Sequence, residues 1–516
     1  MRVKSSPLRR GYFFQSTLFS VASLLCLSLI VASRAVAAGG IPPVNAVHRA
    51  QLDLLHGAEK EGLEPADYAA DELERLTSRP GELANREFSR RLAEAFEHYS
   101  RDLSQGRLDP ALDPGWHLSR QPQYINDPLP VFGTAAEVEA FNTALPPPHP
   151  HHRRLRDTLQ QLLDIRTAGG WPLIPDGSEL HNGIRDGRVI VLRNRLRISG
   201  HYTAEMQADP LYFDAGLDAA VRRFQTEHEL WIDGVVGART RDALNVPVEK
   251  RIEQLKITLE RWRWLPRNLG ERYVWVNIVA AELQLIEHHD PLLSMRAIVG
   301  RAYRQTPSLQ GHIDLLTFNP AWSIPHSIAV EDLLPQQKAD RTFLGRNRIR
   351  VFSVQDGREV DMQAIDWSRL TPRNFAYTLR QDAGPDNSLG RLKFSFENPY
   401  DIYLHDTPNK LLFRLPGRTF SSGCVRIEEP ELLAAYLLAL EQPPDRQAIR
   451  AVLDAGKTHS VALEDTLAVY LVYLNVWVDE EGGVHFGNDL YGRDQPLQSA
   501  WYRPVPDKGQ AFSDSR

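Results

Sequence analysis

The sequence has very little cysteine, which restricts the role of each thiol. Only Cys26 and Cys424 occur among the 516 residues. Cys26 lies within an apolar N-terminal run, so removal of that run would leave Cys424 alone and exclude a disulfide within the mature chain. In an oxidising compartment, a single cysteine is either a reactive thiol or an inert buried side chain.

The chain also lacks an excess of positive charge, and no run of 18 apolar residues follows the N-terminus. Its formal charge of −6 becomes −11 when the five basic residues before residue 38 are removed. An acidic body argues against nucleic acid as a partner, and the absence of later apolar runs predicts a soluble body. The length suggests two to four domains.

Residues 1–37 have the layout of a secretory signal peptide. A basic start precedes the apolar run LFSVASLLCLSLIVA, and the small-x-small site AVA at residues 35–37 follows. The alternative is an uncleaved N-terminal membrane anchor, because the run with its flanks could nearly span a bilayer. Both interpretations place residues from 41 onward outside the cytoplasm and predict a periplasmic protein.

The region from residue 45 to residue 165 carries apolar residues at three- and four-residue spacing, which predicts helices. The stretch ALPPPHPHHRR interrupts this pattern. Its His149, His151 and His152 could suggest a metal site. The proline-rich setting and the lack of acidic ligands instead favour a solvated loop.

A second helical unit spans residues 188–247. Its main helix has one apolar face, formed by Leu217, Ala220, Val221 and Phe224. The turn DGVVGART follows, and Thr240 begins another short helix. The motifs AVRRFQ and DGVVGARTRDALN resemble the peptidoglycan-binding type 1 module, which implies either binding of wall glycopeptide or a scaffolding role. A generic three-helix spacer is the alternative.

The sequence after this unit changes from helical to β-type patterns. Residues 249–266 predict a linking helix that Pro266 ends. From Tyr273 onward, β-branched and aromatic residues predict strands, and the last of these form a hairpin that turns at Gly482-Gly483. The C-terminal half is therefore predicted to be mainly β, with inserted helices such as EPELLAAYLLAL.

The surroundings of Cys424 combine a thiol, an imidazole and small residues. His405 lies 19 residues before Cys424, at the end of the strand-like stretch YDIYLH. A nearby imidazole supplies the base that converts a thiol into a nucleophilic thiolate. Ser421, Ser422 and Gly423 let a substrate carbonyl approach and let backbone N–H groups point at an oxyanion. On chemistry alone, a buried core cysteine in a turn is an equally good interpretation.

The wider pattern resembles the L,D-transpeptidase family with its YkuD-type catalytic domain. The family signature is a histidine, a gap of under 20 residues, and then Ser/Thr-His-Gly-Cys-x-Arg. In this chain His405 is followed by Ser421-Ser422-Gly423-Cys424-Val425-Arg426. Ser422 stands where many members have histidine, and this departure matches the large branch of the family from Gram-negative envelopes.

Two further motifs agree with that branch. NPxWxxP occurs at residues 319–325, and YLHDTP occurs at residues 403–408. The branch also combines a helical N-terminal region with a wall-binding module, so the resemblance covers nearly all of residues 45–500.

The resemblance implies a multidomain α+β protein with a helical N-terminal scaffold, a small helical peptidoglycan-binding module and a mainly β catalytic domain with inserted helices and a lid. The expected boundaries are a signal peptide or anchor at 1–37, the scaffold at 41–187, the module at 188–247, a linker helix at 248–271, the catalytic domain at 272–442 with a lid insertion at about 330–385, and a C-terminal β-hairpin extension and tail at 443–516.

The family also implies a reaction. Cys424 would attack the amide between the third and fourth residues of a tetrapeptide stem, from diaminopimelate to D-alanine, with His405 as the general acid and base. D-alanine would leave, and the side-chain amine of another diaminopimelate would resolve the acyl-thioester to a 3→3 cross-link. No metal or organic cofactor is needed. β-Lactams such as carbapenems are expected covalent inhibitors.

The neighbouring residues receive less definite roles. Gly423 and the Cys424 backbone would form the oxyanion hole, with Ser421, Ser422 and Tyr403 shaping the site. Arg426 and Trp322 are candidates for substrate binding. For each of them, a purely structural role is the alternative. A backbone carbonyl, rather than the side chain of Asp406, is expected to orient the imidazole.

Two other functions remain open from the sequence. An L,D-carboxypeptidase or a cysteine peptidase acting on stem peptides could use the same pair, although papain-like enzymes place the cysteine before the histidine. A non-catalytic wall-binding protein with a decayed site is the second alternative. The intact histidine, glycine, cysteine and arginine of the signature argue against decay.

Overall fold

A computed structural model describes residues 44–78, 81–119, 129–203, 209–415, 417–438 and 446–502. The proposed signal segment, residues 1–37, lies outside these residues. The helices of the described residues are α1 Ala46–His56, α2 Ala70–Thr77, α3 Glu82–Gln105, α4 Ala135–Ala144, α5 Pro150–Thr167, α6 Arg188–Ile198, α7 Ala215–Glu227, α8 Ala238–Leu244, α9 Val248–Trp264, α10 His326–Ile328, α11 Leu334–Ala339, α12 Phe343–Arg346, α13 Pro430–Leu438, α14 Arg446–Asp454 and α15 Asp494–Trp501. None of these helices combines the length and the apolar character needed to cross a bilayer.

The strands begin only after α9, as the change in sequence pattern predicts. They are β1 Arg272–Asn277, β2 Glu282–Glu287, β3 Asp290–Gly300, β4 Leu309–Phe318, β5 Trp322–Ile324, β6 Ile349–Ser353, β7 Tyr377–Gln381, β8 Leu392–Phe396, β9 Leu404–His405, β10 Thr419–Ser421, β11 Val425–Ile427, β12 His459–Val472, β13 Val476–Val478 and β14 Val484–Phe486. The predicted multidomain α+β class is confirmed.

The N-terminal helices α1 to α4 pack around their own apolar core. The apolar spacing read from the sequence places one stripe of each helix inward. The core side chains include Leu52, Leu55, Tyr68, Phe96 and Tyr99, each no more than 1% exposed. The Asn45 side chain caps α1 by accepting from the His48 N–H at 2.9 Å, which satisfies a donor that the helix leaves free.

The predicted solvated loop around the three histidines is wrong for His149 and His152. Pro150 occupies the first turn of α5, where its missing N–H is harmless, so the helix begins inside the proline-rich stretch. His152 is 1% exposed, and the His149 Nε2 lies 3.0 Å from the carbonyl oxygen of Pro266. The described residues contain no group of three or more His, Cys, Asp or Glu side chains arranged to hold a metal ion.

The second helical unit and the linking helix agree with their sequence patterns. The predicted apolar face of α7 is fully buried, together with Val189, Leu192 and Leu244. Helix α9 packs between this unit, the first helices and the sheet, and its buried residues join one core with the C-terminal hairpin. This helix therefore connects the N-terminal half of the chain to the β-rich half.

A nine-stranded sheet forms the frame of the β-rich half. Its order is β10-β3-β11-β9-β8-β4-β12-β1-β2, and an additional β2–β3 pairing closes it. β12 lies between β4 and β1, antiparallel to the former and parallel to the latter. β12 lies within the predicted C-terminal extension, residues 443–516, yet it is a central strand of the sheet. The predicted hairpin at Gly482-Gly483 is confirmed as β13–β14.

An insertion between β4 and β8 forms a small separate layer. Strands β5, β7 and β6 make a three-stranded sheet, and α10, α11 and α12 pack on it. This layer has its own apolar core, which includes Val330, Leu334, Leu344, Trp367 and Leu379. It covers the range predicted as a lid and borders the cleft described next.

Candidate active site

Cys424 lies in the turn that joins β10 to β11. The register of the parallel β9–β11 pair sets Arg426 opposite His405, which brings the thiol and the imidazole to one open cleft of about 1400 Å³. Gly423 has a φ of +118°, a conformation that residues with a Cβ rarely adopt. The glycine of the Ser-Ser-Gly-Cys motif is thus required by the backbone that presents the thiol.

His405 is buried and held by main-chain groups. Its Nδ1 lies 2.5 Å from the carbonyl oxygen of Asp406, whereas the Asp406 carboxylate accepts from the Arg391 N–H at 2.8 Å. The expectation that a backbone carbonyl orients the ring is confirmed. Burial and the nearby Arg426 charge lower the pKa of His405 to about 3, although the Asp406 and Leu389 carbonyls oppose the shift. The imidazole is therefore neutral near pH 7.

The Cys424 thiol is also neutral at rest. Burial raises the pKa of the Cys424 thiol, while Tyr403, Lys393 and Arg426 act in the opposite direction. Within the part of the chain that the structure describes, the thiol donates to the Asp401 carbonyl oxygen at 3.6 Å and makes no hydrogen bond to His405. A neutral imidazole can accept the thiol proton when substrate enters, and catalytic hydrogen bonds often tighten only at that stage.

Tyr403 lies beside both reactive groups. Its ring meets that of His405 edge to face, with centroids 5.6 Å apart. Lys393 lies opposite His405 on β8 and places its Nζ 4.0 Å from the centre of the Tyr403 ring. Burial and Cys424 raise the pKa of Tyr403, so its hydroxyl stays protonated as a hydrogen-bond donor. The sequence patterns gave no indication of Lys393, because it lies on a different strand.

Trp322 lies between the core of the insertion and the cleft. It begins β5, packs partly on the core of the insertion and lines the cleft. Asn319 of the same motif is structural. It has a φ of +44°, which asparagine tolerates better than most residues, and its side chain donates to the Leu453 carbonyl at 2.9 Å.

Hydrogen bonds within the turn that carries Cys424 leave one predicted oxyanion donor occupied. The Gly423 N–H donates to the Ser421 hydroxyl at 3.1 Å, and Ser421 is 2% exposed. The Ser422 hydroxyl accepts from Arg304 at 3.1 Å. In this conformation, the Cys424 N–H is the member of the predicted pair that remains for an oxyanion.

Thr306 stabilises the same turn by hydrogen bonds, although the sequence patterns do not single it out. Its hydroxyl donates to the Gly423 carbonyl oxygen at 2.7 Å and accepts from the Gly300 N–H at 2.8 Å. Thr306 is 0% exposed, and its own carbonyl accepts from the Arg493 guanidinium at 2.9 Å. The turn is therefore anchored to β3 and, through Arg493, to the C-terminal segment.

Arg426 and Arg301 line the cleft as two neighbouring cations. Burial and repulsion from Arg301 lower the pKa of Arg426, and its buried Nε has no hydrogen-bond partner in the described part of the chain. Arg426 takes part in none of the ion pairs of the described residues, so its structural alternative does not take the form of a salt bridge. Neither Arg301 nor Arg426 forms an ion pair among the described residues, and two such guanidinium groups in one cleft favour an anionic group of a ligand.

Arg304 connects the insertion to the turn that carries Cys424. This guanidinium pairs with Asp332 and with Glu331, the latter at 2.6 Å, on the insertion, and it also reaches Ser422. The ion pairs sit at the cleft, which the residues of α10 and the turn after it also line. A movement of the insertion would therefore change the position of Arg304 and, through its hydrogen bond to Ser422, that of the turn that carries Cys424.

Comparison with protein families agrees with this architecture. Residues 271–446 match the family model described as the L,D-transpeptidase catalytic domain. The chain therefore contains the catalytic domain of the L,D-transpeptidase family over these residues. Residues 42–159 match the "Scaffold domain" model, and residues 185–244 match the "Putative peptidoglycan binding domain" model. The resemblances read from the sequence are thus confirmed for all three regions.

Individual relatives agree with the family. A Haemophilus influenzae protein named "Putative L,D-transpeptidase" is 35% identical over 248 residues, which is 48% of this chain and 49% of that protein. The chain thus spans about half the length of this curated relative.

Solved structures are more distant. The L,D-transpeptidase of Xylanimonas cellulosilytica is 15% identical, covers 58% of this chain and 99% of its own, and has a TM-score of 0.17. An L,D-transpeptidase in complex with imipenem is 13% identical, covers 39% of this chain and 59% of its own, and has a TM-score of 0.15. TM-scores this low carry no argument about activity.

Proposed function

We propose that this L,D-transpeptidase forms 3→3 cross-links in peptidoglycan from tetrapeptide donors. The observation that carries the proposal is that one cleft presents the Cys424 thiol, the neutral His405 imidazole and two guanidinium groups that form no ion pair among the described residues. A thiol with a nearby base suits acyl transfer, and cations beside it suit a substrate that ends in a carboxylate.

The first half-reaction forms an acyl-enzyme. The Cys424 Sγ attacks the carbonyl carbon of diaminopimelate while His405 accepts the thiol proton. The Cys424 N–H stabilises the developing oxyanion. Collapse of the tetrahedral intermediate breaks the C–N bond, His405 returns its proton to the leaving nitrogen, and D-alanine departs. A thioester between Cys424 and the donor remains.

The second half-reaction transfers the acyl group. The side-chain amine of a second diaminopimelate attacks the thioester, and His405 accepts its proton. Breaking the C–S bond releases the Cys424 sulfur, which takes the proton back from His405, and leaves an amide that links two diaminopimelate residues. Water in place of the amine would give L,D-carboxypeptidation. The insertion, tied to the turn through Arg304, would exclude water while the acceptor enters.

Substrate orientation follows from the charges. The D-alanine carboxylate is the anion closest to the bond that breaks, so we assign Arg301 and Arg426 to that group. The half-buried Trp322 forms part of the facing wall. The helical module would hold the enzyme on wall glycopeptide, and its turn exposes 70% of Trp231 for this contact. We place the mature protein in the periplasm.

A trapping experiment tests the acyl-enzyme directly. The purified chain is mixed with a disaccharide-tetrapeptide, quenched in acid within seconds and weighed intact. We expect a mass increase equal to the donor minus D-alanine in wild type and none in Cys424→Ala. Imipenem, which a structure of another L,D-transpeptidase contains, is expected to add its full mass to Cys424. Absence of both adducts from a folded protein would contradict the proposal.

A further inference from the structure

Two cations flank the His405 imidazole on neighbouring strands of the sheet. Lys393 of β8 lies opposite His405 of β9, and Arg426 of β11 lies opposite His405 on its other side. Residues paired in this way point to the same face of a sheet, and all three line the cleft that holds Cys424. Adjacent strands are about 4.8 Å apart, so the backbones of Lys393 and Arg426 are separated by roughly 10 Å.

Lys393 carries a charge that no acidic side chain of the described residues pairs with. Its Nζ lies 4.0 Å from the centre of the Tyr403 ring, and it takes part in none of the ion pairs found within the described part of the chain. The side chain is half-buried, and burial lowers the pKa of Lys393, while Cys424 and Asp401 act in the opposite direction. The ammonium group is therefore within electrostatic range of both the thiol and Asp401.

Asp401 supplies a negative charge beside the thiol. Its carbonyl oxygen accepts from the Cys424 thiol at 3.6 Å, and Asn398 fixes the loop that places it there. The Asn398 Oδ1 accepts from the Ile402 N–H at 3.0 Å, and its Nδ2 donates to the Phe396 carbonyl at 2.9 Å. Asp401 is exposed, lines the cleft and forms no ion pair among the residues that the structure describes, including Lys393.

Two nearby charges of opposite sign that do not pair with each other suit a ligand group that carries both signs. The remaining cations of the cleft have other partners. Arg304 pairs with the insertion, and Arg301 and Arg426 are assigned above to the D-alanine carboxylate. Lys393 and Asp401 are therefore left for another charged part of the substrate.

The donor's diaminopimelate contains such a group. Its side chain ends in a carbon that bears both an ammonium and a carboxylate group. The arm from the attacked carbonyl carbon to this end carbon is about 6 Å long when extended, because its C–C bonds measure about 1.5 Å each. With D-alanine on the Arg426 side of His405, the arm can extend toward Lys393 and Asp401.

We propose that Lys393 and Asp401 form the subsite for the zwitterionic side-chain end of the donor's diaminopimelate. Lys393 takes the carboxylate, and Asp401 takes the ammonium group. This inference rests on the proposed function, because it assumes a donor that contains diaminopimelate. Lysine at the same stem position has the ammonium group but lacks the carboxylate. Lys393 therefore makes the enzyme select diaminopimelate over lysine, and it takes no part in the proton transfers.

Acylation by two matched donors tests the subsite. The full chain is mixed with disaccharide-tetrapeptides that carry either diaminopimelate or L-lysine as the third residue, and the rate of adduct formation on Cys424 is followed by intact mass spectrometry. We expect wild type to react at least about tenfold faster with the diaminopimelate donor. Lys393→Met should bring the two rates within about threefold of each other, whereas Lys393→Arg keeps the cation and should retain the preference.

The ratio of the two rates separates recognition from a general effect on the thiol, because both donors react with the same sulfur. Asp401→Asn should slow both donors about tenfold and preserve their ratio, since both carry the ammonium group. Glu397→Gln removes another carboxylate that lines the cleft and should change neither rate by more than about threefold.

Near-ultraviolet circular dichroism shows whether each variant is folded. An unchanged ratio in folded Lys393→Met, or a loss of the preference only in Glu397→Gln, would overturn the subsite while leaving the proposed function in place. Acylation by neither donor in wild type would overturn both.

Discussion

Replacing Thr306 with valine would remove two hydrogen bonds that stabilise the turn that carries Cys424. Valine has nearly the same shape but lacks the hydroxyl that pairs with the Gly423 carbonyl and the Gly300 N–H. Both backbone groups are buried, and a buried polar group left unpaired costs about 1 to 3 kcal/mol. The native turn would thus lose about 2 to 6 kcal/mol relative to displaced conformations that reach water.

We take about 3 kcal/mol as the net effect, because a displaced turn recovers part of the loss. A penalty of that size lowers the population of the competent turn, and hence the rate of Cys424 acylation, about 100-fold. The assay is the rate of imipenem adduct formation by intact mass spectrometry, with Thr306→Ser as the matched control. Serine keeps the hydroxyl and should stay within about threefold of wild type. A Thr306→Val rate within about threefold of wild type would refute the reasoning.

Three further predictions follow from charges and burial. Iodoacetamide should modify Cys424 more slowly than free cysteine at about pH 7, because burial raises the pKa of the thiol. The rate of modification should then rise steadily above that pH. A plateau of the rate that begins below about pH 6 would instead indicate a resting thiolate–imidazolium pair. Arg301→Gln should lower kcat/KM about tenfold for a tetrapeptide donor but change it little for the same donor with a terminal carboxamide, and equal losses would reject the carboxylate role. Burial and neighbouring arginines lower the pKa of His152 well below its usual 6.5. Below about pH 6.5 this histidine is therefore protonated in the unfolded chain but neutral in the folded chain, and the free energy of unfolding falls as the pH drops. His152→Phe should therefore gain about 2 kcal/mol over wild type at pH 5 relative to pH 7.5 in thermal unfolding, and an unchanged difference would contradict this.

Local patterns in the sequence predicted the elements and the motif of the site well. The apolar face of α7, the helix before Pro266 and the hairpin at Gly482-Gly483 all depend on short-range periodicity or turn chemistry, which one sequence displays. The carbonyl that orients His405 could be anticipated because the Asp406 side chain leaves the strand on the opposite face.

Features that depend on distant contacts could not be predicted. The central place of β12 and the closure of the sheet by β2 and β3 result from pairings between strands far apart in the chain. Thr306, Arg304 and Lys393 reach the site from other strands and loops, so no spacing relative to Cys424 reveals them. His149 is buried because α9 and its following loop cover it, which local composition does not encode.

The most direct test of the proposed cross-linking uses residues 41–516 with disaccharide-tetrapeptides, and Cys424→Ala as the control. Products are identified by mass spectrometry. The proposal predicts a dimer that has lost one D-alanine, formed by the wild type and absent with the variant. Release of D-alanine with tripeptide and no dimer would contradict transpeptidation and indicate a carboxypeptidase. No reaction in either protein would contradict a catalytic role and leave a wall-binding protein.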